Sequence, residues 1–175
     1  MSNIIYVNKP YCEHGDLDRL IYYICEKPNL VEFQIFGANI LNPDYALRSM
    51  YAVKNRFKKL DGKQAYHFIF SIRPTQSSSY NYKIILAKWL MNVVGNYIAD
   101  LGFQNVAAVH ATPEKNYGWR ERREENVHVH IVVNSVSAKD GHKLREVYKL
   151  LREIKYVVNH NDLLYGINIE KVFFA

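Results

Sequence analysis

The chain has 175 residues, of which 49% are hydrophobic and 23% are charged, a balance that excludes an intrinsically disordered protein. At this length we expect a single domain, residues 1–175, with a buried core of its own. The formal net charge of +6 favours a polyanionic partner.

Neither the cysteines nor the apolar runs point to secretion or to a membrane. Cys12 and Cys25 fit no disulfide framework and no paired zinc-binding spacing, which favours a reducing compartment. The N-terminus lacks a signal sequence, and nowhere do about eighteen apolar residues follow one another, as a transmembrane helix requires. We therefore expect a cytoplasmic protein with no membrane partner.

The first part of the chain predicts two helices between short strands. After a strand at 3–7, a helix begins with Asp16 as its N-cap and ends before Pro28. Tyr22 and Tyr23 flank its apolar stripe on opposite sides, so the periodicity leaves open which one faces inward. A strand at 31–36 and a helix that opens with Asn42-Pro43 follow. The predicted exposed face of this second helix carries basic residues: Arg48, Lys54, Arg56, Lys58 and Lys59.

The rest of the chain alternates strands with helices. The predicted elements are a strand at 64–73, a helix at 80–101, strands at 103–110 and 127–134, a helix at 143–158 and a strand at 167–173. This order predicts an α+β fold, in which helices back a mainly antiparallel sheet of about five strands. The polar segment between 111 and 127 is too charged for a core and is predicted to touch the substrate.

The segment 127–134 alternates between apolar residues and a second set that contains two histidines. Successive side chains of a strand point to opposite faces, so His128 and His130 share one face. Two imidazoles so close can bind one divalent cation, and the strand at 103–110 ends on a third, His110. The sequence predicts a three-histidine metal site, although a solvated strand face with no metal function gives the same pattern.

Five motifs in this order carry a resemblance to a known family. They are the helix that ends with Tyr23-Ile24, the strand Tyr66-His67-Phe68-Ile69-Phe70-Ser71, the strand that ends on His110, the segment His128-Val129-His130-Ile131-Val132-Val133-Asn134-Ser135-Val136 and the turn at Gly141. Together they span nearly the whole chain. The chain resembles the relaxases of mobilisable plasmids and conjugative elements, of the MobA/VirD2 type, within the His-hydrophobe-His (HUH) endonuclease superfamily. The sandwich fold of these enzymes is similar to that of RNA-recognition modules.

The resemblance implies that the protein nicks and rejoins one strand of single-stranded DNA at a transfer origin. A tyrosine forms a 5′-phosphotyrosyl intermediate, and Tyr23 matches the position of this nucleophile, with Tyr22 in reserve. A tyrosine hydroxyl ordinarily titrates near pH 10 and needs help to react. His110, His128 and His130 would hold a divalent cation; Mn²⁺ or Mg²⁺ is expected, with Zn²⁺ and Ni²⁺ as alternatives.

Two departures from the family pattern leave roles open. Relatives place an acidic residue where this chain has Thr112. We hypothesise that the missing carboxylate, which would orient an imidazole, is supplied instead by Glu121, Glu124 or Glu125. Relatives also use an acidic base on the strand where this chain has His67. His67 is therefore either the proton acceptor from the tyrosine or a structural histidine.

The resemblance also implies partners. Single-stranded DNA is expected to contact a set of basic side chains: Arg120, Arg122, Arg123, Lys54 and Lys58. Accessory relaxosome proteins and a secretion-system coupling protein in the bacterial cytoplasm are further expected partners. The alternatives are a replication initiator of the same superfamily, which would share the chemistry, and a non-catalytic single-stranded nucleic-acid-binding domain, which would not require three histidines.

Overall fold

A computed structural model describes residues 1–38, 42–74, 78–116, 122–123 and 125–175. The strands are β1 (Ser2–Tyr6), β2 (Leu30–Phe36), β3 (Ala65–Ser71), β4 (Asn105–Thr112), β5 (Lys115–Asn116), β6 (Arg122–Arg123), β7 (Asn126–Asn134) and β8 (Ile169–Phe174). The helices are α1 (Asp16–Cys25), α2 (Pro43–Arg56), α3 (Tyr80–Asp100) and α4 (Val147–Asn159), and a short 3₁₀ helix covers Asp162–Leu164.

Six strands form the main sheet, in the order β2-β4-β7-β3-β1-β8. All neighbours are antiparallel except β1 and β8, which are parallel. The predicted α+β fold with a mainly antiparallel sheet is confirmed. The sheet has six strands rather than about five, because all six strands predicted along the chain join it, with the first and last paired along one edge.

Helices cover both faces of this sheet, but to different extents. On one face, α3 packs on β2, β4 and β7, and α4 packs on α3 and β8. On the other face, α1 packs on β2, β4 and β7, with α2 beside it. The alternation of β7 therefore serves two cores. Val127, Val129, Ile131 and Val133 lie in the first core, and Val132 lies in the second.

The two helix starts differ from each other in how they are capped. Asn42 caps α2 as predicted, since its side chain accepts a hydrogen bond from Asp44 N at 2.8 Å and Pro43 follows. The predicted N-cap of α1 is wrong by one residue. Gly15, at φ 86°, occupies that position, while the Asp16 carboxylate accepts from Glu13 N at 2.8 Å.

Lys54 lies on the buried side of α2, and the prediction that it is exposed and contacts DNA is wrong. It is 0% exposed, and its Nζ donates to the Gln64 carbonyl at 2.6 Å, to Gln64 Oε1 at 2.9 Å and to Ser135 Oγ at 3.3 Å. Burial lowers its pKa to about 7. Lys54 thus joins α2 to the start of β3 and to the segment after β7.

Two smaller expectations concern the cysteines and the membrane. Cys12 is exposed and Cys25 is buried, and both are free thiols. None of the helices among the described residues is both long enough and apolar enough to cross a membrane.

Candidate active site

Antiparallel pairing of β4 with β7 brings the three predicted imidazoles together. His110 lies directly opposite His128 in the register, and His130 follows two residues along on the same face. The ring centroids of His110 and His130 are 4.6 Å apart, and those of His128 and His130 are 4.8 Å apart. One ring nitrogen from each of the three lies within 4.8 Å of the other two. This spacing allows all three rings to face one ion.

The protonation states also fit a cation. Burial is the main cause that lowers the pKa of His128 to about 4 and that of His130 to about 2, and neighbouring imidazoles add to both shifts. Burial lowers the pKa of His110 as well. All three rings are therefore neutral near pH 7, which is the state that binds metals.

Hydrogen bonds to the protein select which ring nitrogens face inward. Nε2 of His110 donates to the Ile24 carbonyl in the last turn of α1 at 2.7 Å, which leaves Nδ1 as the acceptor nitrogen. Nδ1 of His128 is buried and has no hydrogen-bond partner among the described residues. A buried nitrogen without a partner is costly unless a ligand satisfies it. The residues present therefore fit a divalent cation.

His67 on β3 lies against the third imidazole of this cluster. Its Nε2 is 2.9 Å from Nδ1 of His130, and the two rings stack with centroids 5.1 Å apart. His67 is only 4% exposed, and burial lowers its pKa to about 4. The contact fixes the orientation of the His130 ring and leaves Nε2 of His130 for a ligand.

The structure separates the two candidate tyrosines, which the periodicity of α1 did not. The Tyr23 ring stands edge-on to His130 and His67, with centroid distances of 5.9 and 6.5 Å. The Tyr22 hydroxyl instead donates to Asp44 Oδ1 at the start of α2, at 2.5 Å. Tyr23 thus lies beside the histidine cluster, and Tyr22 points towards α2.

The sequence prediction overlooked a lysine at this place. Nζ of Lys27 lies 4.0 Å from the centroid of the Tyr23 ring. Its charge also contributes to lowering the pKa values of His110, His128 and His130. The signal that would have found it is the spacing of four residues from Tyr23, which brings side chains together at the end of a helix.

An open cleft leads to Tyr23 and His67. It encloses about 770 Å³ between α1, the segment after β1 and the exposed part of the sheet. Its lining includes Val7, Lys9, Tyr11, Arg19, Tyr23 and His67. Since Tyr23 is 47% exposed, a substrate can reach its side chain from this cleft.

Of the basic residues predicted to contact DNA, neither Lys54 nor Lys58 lines this cleft. Lys54 is buried, as described above. Lys58 is next to Phe57, and the Phe57 ring lies against Gly141. Gly141 follows the C-terminal end of β7, so Lys58 is at the end of the sheet away from the histidines. A Cβ on Gly141, at φ 74°, would come within 2.3 Å of that ring, so this contact requires glycine.

The charged segment between β4 and β7 is described only in part. Arg122 and Arg123 form β6, which pairs with β5, and Arg120 lies outside the described residues. Glu121 and Glu124 also lie outside them. Glu125 forms an ion pair with Lys83 and orients no imidazole. The imidazole-orienting partners that the structure does show are the Ile24 carbonyl and His67.

Comparison with known proteins gives one match. The sequence model of a protein family described as "Relaxase: MobA/VirD2-like, nuclease domain" matches residues 23–167. The matched region begins at Tyr23 and contains the four histidines of the site. No curated protein and no solved structure matches the chain.

Proposed function

The chain belongs to the family of MobA/VirD2-like relaxase nuclease domains, and we propose that it nicks and rejoins single-stranded DNA at a transfer origin through Tyr23. The observation that carries this proposal is the place of Tyr23, whose ring lies beside His130 and opens onto the cleft. Membership of the family supports a DNA-nicking role in general. The strand specificity, the transfer origin, the accessory relaxosome proteins and the coupling protein are proposed by analogy with the family.

His110, His128 and His130 are the residues that would hold the divalent cation. A cation held there would polarise the scissile phosphate and neutralise charge on its oxygens. Three neutral imidazoles suit Mn²⁺, Zn²⁺ or Ni²⁺ better than Mg²⁺, which prefers oxygen ligands. Of the two ions expected from the sequence, we therefore propose Mn²⁺.

Tyr23 performs the covalent step. Its hydroxyl oxygen forms a bond to the phosphorus while the bond from phosphorus to the 3′ oxygen breaks, which leaves a 5′-phosphotyrosyl link and a free 3′-hydroxyl. Tyr23 is 47% exposed, so solvent can accept its hydroxyl proton, and the departing 3′ oxygen takes up a proton from solvent in turn. The link conserves the energy of the phosphodiester, so attack by a 3′-hydroxyl can rejoin the strand.

His67 is proposed as the residue that positions His130. When Nε2 of His130 serves as a ligand, the proton of this neutral ring sits on Nδ1 and is donated to Nε2 of His67. The proton of neutral His67 then sits on its own Nδ1. No lone pair of His67 remains for the proton of Tyr23, which argues against the predicted role of His67 as proton acceptor.

The test is covalent capture of single-stranded DNA. Wild-type protein is mixed with Mn²⁺ and labelled oligonucleotides that tile the transfer origin of its own genetic element, and SDS-resistant adducts are resolved on a gel. We expect an adduct with wild type and with Tyr22→Phe, and none with Tyr23→Phe or with a chelator. No wild-type adduct on any oligonucleotide contradicts the proposal and leaves a non-catalytic binding domain. An adduct that survives in Tyr23→Phe but not in Tyr22→Phe assigns the nucleophile to Tyr22.

A further inference from the structure

Lys27 is a cation that lies against the ring of the candidate nucleophile, Tyr23. It lies two residues beyond the end of α1, and its Nζ is 4.0 Å from the centroid of the Tyr23 ring. The side chain is partly buried. Within the described parts of the chain, no carboxylate pairs with it and its Nζ donates no hydrogen bond. Among the described residues, the Tyr23 ring is therefore the one group that the Lys27 charge is seen to contact.

Lys63 is a lysine of this chain whose ammonium group has several structural contacts, and it serves as a comparison. Nζ of Lys63 lies over the rings of Tyr6, Tyr11 and Tyr66, at 5.2 to 5.8 Å, and also donates to the Lys9 carbonyl. Lys63 thus connects the segment after β1 to β3. Lys27 contacts one exposed ring and has no such bond, so packing does not explain it in the same way.

The charge of Lys27 disfavours binding of a metal ion at the histidine cluster unless an anionic ligand is also present. Nζ of Lys27 is 4.0 Å from the centroid of the Tyr23 ring, which itself lies 5.9 Å from the centroid of the His130 ring, so its positive charge is close to the histidine cluster. A metal ion among these rings would be repelled by the same charge. An anion that lies between Lys27 and the imidazoles removes this conflict, since it attracts both cations.

The scissile phosphate is the anion that the proposed function brings to this place. We propose that Lys27 is a further catalytic residue, whose ammonium group donates a hydrogen bond to a non-bridging oxygen of the scissile phosphate. Negative charge on that oxygen grows as the Tyr23 oxygen bonds to phosphorus and the 3′ oxygen departs, so the interaction strengthens in the transition state. Lys27 keeps its proton throughout. The inference rests on the proposed function, because it requires the phosphate to lie beside Tyr23.

The test compares the rate of adduct formation with metal affinity in Lys27→Gln. The rate is measured with saturating Mn²⁺ and single-stranded oligonucleotide, and we expect it to fall by about 10²–10³-fold, as when one donor to a developing oxyanion is removed. Affinity for Mn²⁺ without DNA is measured by calorimetry. It should stay the same or become up to about fivefold tighter, because a repelling charge is gone. A merely structural role would instead weaken metal binding and lower the melting temperature.

Two further variants complete the test. Lys27→Arg keeps the charge and should restore most of the rate. Lys155→Gln removes the same charge from a place where Nζ bonds to the Glu170 carbonyl, and it should react like wild type. The inference is wrong if Lys27→Gln forms the adduct at the wild-type rate, or if it loses metal affinity in step with activity. If wild type and Lys27→Gln form the adduct equally fast, only the role of Lys27 is wrong and the proposed function stands. If wild type itself forms no adduct, both the proposed function and the role of Lys27 are wrong.

Discussion

The two faces of strand β7 share one backbone and serve different purposes. Val127, Val129, Ile131 and Val133, on the face covered by α3, are each at most 3% exposed. On the opposite face Val132 is equally buried beneath α1, but His130 lies beside Tyr23 in the last turn of that helix. The two faces therefore differ in the chemistry of what they bury, since His130, at 4% exposed, is about as inaccessible as Val127, at 3%. His110 and His130 occupy the part of this face where α1 ends.

The largest effect on folding is expected from the apolar face. Ile131→Ala removes a fully buried side chain and should lower the free energy of unfolding by about 2–5 kcal/mol, measured by chemical denaturation. The folded fraction should still bind Mn²⁺ with unchanged affinity, since the side chain points away from the cluster. A variant that loses the metal but not stability would reverse the assignment of the two faces.

The matched change on the opposite face is His128→Ala. Loss of a residue that only orients a metal ligand typically weakens binding by up to about 100-fold. Because His128→Ala removes a ligand itself, it should weaken Mn²⁺ binding by more than about 100-fold. The melting temperature of the metal-free protein should change little, because His128 is the most exposed of the three histidines. Unfolding of the variant would support a structural histidine instead.

A smaller effect is expected one strand away. His67→Gln removes the ring that orients His130, and we expect Mn²⁺ affinity to fall by about 10–100-fold. The pH dependence of adduct formation should keep its shape, because His67 accepts no proton in the proposed reaction. Loss of a titration step from that profile would restore the role of proton acceptor.

The smallest effect is the dependence of stability on pH when a chelator is present. The pKa of His67 is about 4 when folded and near 6.5 when unfolded, so the unfolded state binds more protons between these values. Stability is therefore complete above about pH 6.5 and is lost as the pH falls towards 4. Each such buried histidine should cost about 1 kcal/mol by pH 6. Denaturation curves that are unchanged from pH 7.5 to 6 would contradict the burial of neutral imidazoles.

The sequence was sufficient for features that depend on local periodicity. The strict alternation at 127–134 predicted which residues of β7 share a face, and Asn42-Pro43 predicted the start of α2. The position of Lys54 was missed because it was grouped with the lysines and arginines around it. Its spacing of four from Met50 and seven from Leu47 places it on the buried stripe, and helical geometry outweighs charge when polar partners are available.

Other parts of the site depend on contacts between distant segments. Tyr22 and Tyr23 flank the same stripe, and only the packing of α1 against α2 and the sheet distinguishes them. The contact of His67 with His130 depends on the register of β3 against β7, in which Ile69 lies opposite His130. Alternation within β3 places His67 on this face, but a shift of two residues would keep the face and move His67 away from His130, and no local pattern excludes that shift.

The most direct test of the central claim is the position of Mn²⁺ in crystals of the protein soaked with this ion. Anomalous scattering from manganese locates the ion without reference to the surrounding protein. We expect one strong peak enclosed by His110, His128 and His130, with Tyr23 as the nearest tyrosine. A peak elsewhere, no peak at these rings, or Tyr22 as the nearest tyrosine would contradict it.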